Sequence, residues 1–349
     1  MNREPSEGRA AGGGGDHRSA VLAGFLGWTL DAFDFFLVVM CLTAIGREFH
    51  KSDKEMAVTL VITLAFRPVG ASLAMEKVPA RLRGLLSGLL QQGYSCGYLL
   101  AAVCYYFLFD HVGWRPLFFL GGLPALLALY VRMHVKESEV WERSRHKTWG
   151  DLRSAILSHW KLFLYIVALM TGMNLASHGT QDMYPTFLER EWGFQPTSRA
   201  ALTAFSMCGA VAGGTLCGWF SDRWGRRRAM IVALLGAAVA VPLWAFAPSL
   251  ALLWAGAFLM QFLVQGAWGV IPAHLSELSP DSVRGFLPGF AYQCGVLIAG
   301  SVSYLEAAIA GRTGYPTAMA VVAATVFLFA AAMTAVGRER RAAVFGGTA

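Results

Sequence analysis

Asn174, His178, Gln181 and Asp182 fall at i, i+4, i+7 and i+8 in the run Asn174-Leu-Ala-Ser177-His178-Gly-Thr180-Gln181-Asp182-Met-Tyr-Pro185-Thr186. On a helix this spacing puts all four on one stripe. The run lies inside a stretch apolar enough to cross a membrane. There a histidine and a carboxylate cost several kcal/mol unless they pair or line a pathway. Imidazole titrates near neutrality, and a carboxylate one turn away can orient it or pair with its charge. The chemistry expected of such a stripe is contact with a polar solute and exchange of a proton. A lone buried histidine is usually structural, but the amides of Asn174 and Gln181 beside it weigh against that reading. Thr186, beyond Pro185, ends the polar run.

Other spans carry further polar groups. Arg67 is a cation in an apolar stretch, and its forked guanidinium suits a planar monocarboxylate. The rival reading is a structural ion pair with Asp31 or Asp34. Those two carboxylates lie i and i+3 on one face of the first span, where either a proton relay or simple satisfaction of Arg67 is open. Gln293 is expected to line a cavity or to hydrogen-bond between helices, with Gln261, Gln265 and Trp268 as weaker candidates.

These residues need a membrane scaffold to hold them. The 349 residues are 56% hydrophobic and 15% charged, with 38 Gly and 11 Trp, the balance of an embedded chain. A hydrocarbon core about 30 Å thick takes roughly 20 apolar residues per helix. Ten such runs are expected: 21–45, 56–75, 84–109, 115–134, 161–188, 199–220, 228–248, 250–273, 285–310 and 314–337. The first is too long and too polar within to read as a cleaved signal. One set of connections, including both termini and the 135–160 segment, holds 20 of the 29 Lys and Arg. That set is expected to be cytoplasmic. The same bias accounts for the net charge of +7, so no nucleic-acid partner is expected. The six cysteines lie in apolar spans without metal-ligand spacing and read as small buried hydrophobes. No phosphate loop, zinc motif or nucleophile elbow is present, and neither a cofactor nor a metal is expected. A multispan membrane enzyme would need a nucleophile or metal set at a membrane face, so the chain reads as a non-enzyme.

The chain also repeats itself. Glu76, Pro79, Arg83, Gly84, Gly88 and Gln92 recur as Glu277, Pro280, Arg284, Gly285, Gly289 and Gln293, all at an offset of 201, which Gly113 and Gly314 share. Parallel repeats with a site between the halves are a transporter architecture. Glu76/Arg83 and Glu277/Arg284 read as architectural clamps at span ends. Upstream, placing Gly70-Ala71 on Gly214-Thr215 lowers the offset to 144, which leaves the first half about 57 residues short, two spans' worth, near 70–74. The expected division is a disordered cytoplasmic tail (1–20), a shortened first repeat (21–134), a cytoplasmic linker (135–160), a second repeat (161–337) and a cytoplasmic tail (338–349).

Gly218-Trp-Phe-Ser221-Asp222-Arg223-Trp-Gly225-Arg226-Arg227-Arg228 resembles the G-x-x-x-D-R-x-G-R-R signature of the major facilitator superfamily. Physically, Asp222 can cap a helix or pair with an arginine, Gly225 permits a tight turn, and Arg223 and Arg226 anchor the basic side. Within that superfamily, the N-x-x-S-H-x-x-Q-D-x-x-x-T run resembles the lactate and pyruvate:proton symporters of the sialate:proton symporter group. Residues 27–36, Arg67-Pro68-Val69-Gly70, and 78–81 through Gly97-Tyr98 extend the likeness, which covers about residues 20–337. The resemblance implies an all-α two-repeat bundle in the plasma (inner) membrane. Its implied partners are a small organic anion, a proton and the lipid bilayer. Arg67, Asn174, His178 and Gln293 would bind substrate, and Asp31, Asp34, His178 and Asp182 would couple the proton. The implied function is proton-coupled uptake of a short monocarboxylate. The alternatives are a transport-impaired shortened member, or a symporter for sialate or another organic anion.

Overall fold

A computed structural model describes residues 13–65, 80–122, 150, 154, 157–280, 283 and 287–341, with side chains from residue 24 onward. All regular structure among these residues is helical. It comprises α1 (Gly13–Glu48), α2 (Asp53–Ala65), a 3-10 turn (Ala80–Leu82), α3 (Arg83–Val112), α4 (Trp114–Leu120), α5 (Trp160–Gln181), α6 (Tyr184–Trp192), α7 (Pro196–Trp224), α8 (Arg226–Ala245), α9 (Leu250–Leu278), α10 (Leu287–Ala299), α11 (Ser301–Thr313) and α12 (Tyr315–Val336).

Among the described residues, eight stretches are long and apolar enough to cross a membrane. They are Gly24–Glu48, Arg83–Val112, Trp160–Trp192, Pro196–Trp224, Arg226–Ala245, Leu250–Leu278, Leu287–Thr313 and Tyr315–Val336. At 1.5 Å per residue, the 29 residues of α7 reach about 43 Å, more than a hydrocarbon core needs. The expected spans 56–75 and 115–134 run past Ala65 and Gly122 into residues outside those described. The junction at 69–74, Arg67, Glu76, Arg284 and most of 135–160 lie outside them too.

Apolar side chains do not stop at the core. Phe107, Val232, Val239, Leu297, Leu328 and Val336 are all more than half exposed on outward faces. A helix apolar on every side belongs in lipid, where its backbone groups must be satisfied within the helix.

α3 is the centre of the packing, lying between α1 on one side and α7 and α9 on the other. Its contact with α7 is backbone to backbone: a Cβ at Gly88 would come within 2.6 Å of the Gly214 carbonyl, and one at Gly218 within 2.6 Å of the Gly84 carbonyl. Small residues four apart allow this approach. Ser87 of α3 also enters the α9 ladder near Pro272, accepting from the Ala273 N–H at 3.1 Å and donating to the Gly269 carbonyl at 2.8 Å. The repeat mates Gly113 and Gly314 both cap a helix at positive φ, +73° and +82°, and each starts the next helix. Only glycine takes that conformation without strain.

Two crossings are interrupted. The first breaks at Asp182, between α5 and α6. Pro185 has no N–H, so the Gln181 carbonyl loses its helical donor, and the Tyr98 hydroxyl supplies one at 3.4 Å instead. The second breaks at Gly300, between α10 and α11. Asp182 and the start of α11 meet where the two interruptions face each other.

Candidate functional site

A small cavity, with room for about one water molecule, lies between the halves, lined by Gln91, Tyr94, Asn174, Ser177, His178, Trp268 and Tyr292. α3 supplies the first two, α5 the next three, and α9 and α10 the last two, so both halves build its wall. Aromatic rings crowd it: the Trp28 and Tyr292 centroids are 5.9 Å apart, and those of Trp268 and Tyr292 6.1 Å apart.

The polar stripe divides in two. Asn174 and His178 reach the cavity. Behind them, His178 Nδ1 lies 3.1 Å from Asp182 Oδ1 and 3.2 Å from Oδ2, with the side chains 3% and 0% exposed. The ring packs edge-on against Phe35 of α1 at 5.5 Å between centroids. Ser303 of α11 donates to Asp182 Oδ2 at 3.0 Å. Gln181 turns elsewhere: its Oε1 accepts from the Tyr94 hydroxyl at 2.9 Å, and its Nε2 donates to Gln261 Oε1 at 2.7 Å. Gln265 Nε2 donates to Ser177 Oγ at 3.2 Å, and the Trp268 indole N–H to the Met173 carbonyl at 3.1 Å. The residues weighted least from sequence, Gln261, Gln265 and Trp268, therefore tie α9 to α5 across the buried interior.

Other expected site residues stand apart from this cavity. Asp31 and Asp34 are partly buried on α1, and Asp34 faces the end of α4, its Oδ1 3.0 Å from where a Cβ on Gly121 would sit. Gln293 is half-buried on α10 and is not among the lining residues. Arg67 lies outside the described residues. Glu306 of α11 is one residue that the motif reading passed over. It is fully buried, and Asp182 is close enough for its charge to act on it. The available signal was that Glu306 is the sole charged side chain in the expected span 285–310.

Both ends of the bundle are closed by contacts between halves. At the arginine-rich end, Asp222 accepts from the Gly84 and Leu85 N–H groups at 3.0 and 3.1 Å, capping α3, and pairs with Arg226 at 2.8 Å. Glu277 accepts from Arg226 at 3.0 Å and from Arg83 at 3.3 Å, with all three side chains 4% exposed or less. Gly225 turns the chain at φ +99°. Arg223 lies 4.4 Å over the Trp219 ring. Glu339 caps the first N–H groups of α8 at Arg226 and Arg227.

At the opposite end, Arg190 of α6 pairs with Asp53 of α2 at 2.7 Å, and the Tyr315 hydroxyl donates to the same carboxylate at 2.7 Å. Glu189 joins Arg47 and Arg199. Arg199 also donates to Thr43 and to the Tyr105 hydroxyl, each at 3.0 Å.

A family model described as Major Facilitator Superfamily matches residues 19–183 and again 182–345. The chain is 28% identical over 312 residues to a "Carboxylic acid transporter protein homolog" of Saccharomyces cerevisiae, covering 77% of this chain and 50% of the yeast protein. It is 23% identical over 371 residues to the sialic acid transporter NanX of Escherichia coli, covering 87% of this chain and 90% of that one. The chain thus spans about half the length of the yeast relative. Among solved structures, the partially occluded inward open conformation of the xylose transporter XylE from E. coli superimposes with a TM-score of 0.70 at 16% identity, over 93% of this chain and 98% of that one. At that identity the likeness speaks for the fold.

Proposed function

This chain belongs to the major facilitator superfamily, and from that premise we propose that it is a proton-coupled transporter of a short monocarboxylate of the lactate or pyruvate kind. The observation that carries the reading is the His178–Asp182 pair, one member at the wall of an inter-half cavity and both shielded from solvent. A protonated imidazole would attract a carboxylate, and its charge would be balanced by Asp182 when the site is empty. Asn174 offers an uncharged donor beside it. Arg67 is assigned as the anion anchor and Gln293 as a further contact. Asp31 and Asp34 are assigned with His178 and Asp182 to the proton side of the cycle.

The halves would rock about this site, the arginine-rich contacts parting when it opens to the cytoplasm and the Arg190–Asp53 end parting when it opens outward. That orientation follows the positive-inside rule, with both termini cytoplasmic in the plasma membrane. A relative named for carboxylic acid transport supports the anion class, and one named for sialic acid keeps a larger organic anion as the competing substrate. The test is side-by-side uptake of labelled lactate, pyruvate and sialate into proteoliposomes under an imposed pH gradient. Uptake of lactate and pyruvate that ignores the gradient would refute coupling, and uptake of sialate alone would refute the substrate class.

A second reading is a shortened, transport-impaired member that binds without net flux. It is favoured by the alignment with the sialic acid transporter, which runs over 371 positions while covering 87% of 349 residues and so must open gaps in this chain. On the offset of the internal repeat, the missing block would be about two spans, near 70–74. Saturable lactate binding in detergent with no flux in vesicles would select this reading.

A further inference from the structure

Glu306 projects from α11 into the dry side of the interruption at Asp182. It is 0% exposed, and neither carboxylate oxygen has a hydrogen-bond partner among the described residues. Its Oε1 lies 3.5 Å from where a Cβ on Gly179 would be, so the group rests on the backbone of α5 less than one turn before Asp182. Ser303, one turn earlier on the same face of α11, is bonded to Asp182 itself. One face of α11 therefore delivers a hydroxyl and a carboxyl to a single buried locus, with His178 completing it from the cavity side.

The charged and titratable groups on the elements packed against α11 are few. They are Lys161, Tyr165 and His178 from α5 with Asp182 at its end, Tyr315 from α12, and Asp53, Lys54 and Glu55 from α2. Lys161 and Tyr165 lie at the far end of α5, and Glu55 is bonded to Lys51 and Ser52. Lys54 lies over the Tyr304 ring at 5.0 Å, and Asp53 is engaged by Arg190 and Tyr315. α10 presents no charged side chain, only the titratable Tyr292 and Cys294. No cation among these is bonded to Glu306. An ionised carboxylate without a hydrogen bond in such surroundings costs far more than a neutral carboxyl, and two adjacent carboxylates do not both ionise. Asp182 has His178 and Ser303 to hold its charge, so Glu306 is the member that keeps a proton.

We infer that Glu306 is a proton-binding site, the group that takes up and releases the coupled proton, with Asp182 and His178 as its relay to the cavity. Its O–H bond forms when the site is hydrated from the source side and breaks when the proton passes to Asp182 or to water on the other side. Toward the outer end of α11, the Tyr315 hydroxyl donates to Asp53, whose side chain is 21% exposed. This inference rests on the transport reading for its role in coupling, but not for the presence of the proton.

The experiment has two arms on the full chain in lipid vesicles. In the first, infrared difference spectra across a pH titration follow the carbonyl stretch of protonated carboxylic acids in the wild type, Glu306→Gln and Glu306→Asp. The expected result is a band lost in Glu306→Gln and shifted in Glu306→Asp. A spectrum that neither substitution alters overturns the proposal, whatever the chain transports. In the second, labelled lactate is followed under an imposed gradient of one pH unit, which sustains about tenfold accumulation with one proton per anion. Glu306→Gln is expected to bring the ratio close to one while exchange of labelled for unlabelled lactate continues, and Glu306→Asp to recover part of the accumulation. Wild-type accumulation in Glu306→Gln overturns the coupling role. Failure of the wild type to move lactate would refute the transport reading and leave the infrared arm to decide the proton site.

Discussion

The imidazole of His178 and the carboxylate of Asp182 face each other across one helical turn, Nδ1 to Oδ1 at 3.1 Å, where Pro185 has just ended α5. The pair is inaccessible to solvent on the Asp182 side and reaches the cavity only through His178. Asp182 keeps helical backbone, its N–H bonded to the His178 carbonyl, so it stays on the stripe and also accepts from Ser303 of α11 as a third member.

His178→Ala removes the member that touches the cavity. Gradient-driven lactate uptake is expected to fall about 10- to 100-fold, the loss of one hydrogen bond to a charged group being worth ~1.5–3 kcal/mol. Initial rates in proteoliposomes measure this, and a parental rate would remove His178 from the mechanism.

Asp182→Ala leaves His178 Nδ1 and Ser303 Oγ without their acceptor in a buried place. Stability is expected to drop by about 1–3 kcal/mol. Thermal unfolding in detergent reads the change, and Ser303→Ala in the same background should add little, since the two share one acceptor.

Glu277 holds two guanidinium groups between the halves. Glu277→Ala strands Arg226 and Arg83 without this partner and is expected to destabilise the protein by about 3–5 kcal/mol, as for other buried pairs broken on one side. Arg190→Ala breaks an ion pair whose members are 42% and 21% exposed, and is expected to cost less than about 1 kcal/mol. Equal losses from the two substitutions would contradict this ranking.

Gly88→Ala places a methyl group within 2.6 Å of the Gly214 carbonyl, where backbone rather than a flexible side chain must move. A loss of about 1–3 kcal/mol is expected from overpacking. Gly113→Ala meets no neighbour, so its cost comes from the backbone at φ +73° and ψ −173° alone, about 1–3 kcal/mol. Comparing the two unfolding midpoints separates crowding from backbone strain.

The crossing helices were legible because their apolar runs exceed what a soluble core uses, and the His178–Asp182 contact because i and i+4 meet on any helix. Asp222 was legible as both a cap and an arginine partner, but not as the cap of α3, because the recipient lies 138 positions away. Gln181 shares the spacing of His178 yet points to Tyr94 and Gln261. Periodicity names a face of a helix and says nothing of which neighbour covers it. Glu306 carried no motif at all. Its significance comes from the docking of α11 on Asp182, a tertiary fact. The turn glycines Gly113 and Gly314 could be matched by offset, while their positive φ is set by the way each turn joins its two helices.

The two doors of this bundle are fastened differently. At one, the Glu277–Arg83 latch is dry, with both side chains 4% exposed or less; at the other, Arg47 and Arg190 reach across the halves from wetter positions. Mobile ions weaken attractions in water over a Debye length of about 10 Å at 0.1 M, and scarcely touch those shut away from it. Added salt should therefore soften only the rim of the second door, at Arg47 and Arg190, while the buried Arg199 contacts to Thr43 and Tyr105 and the whole of the first door stay fastened.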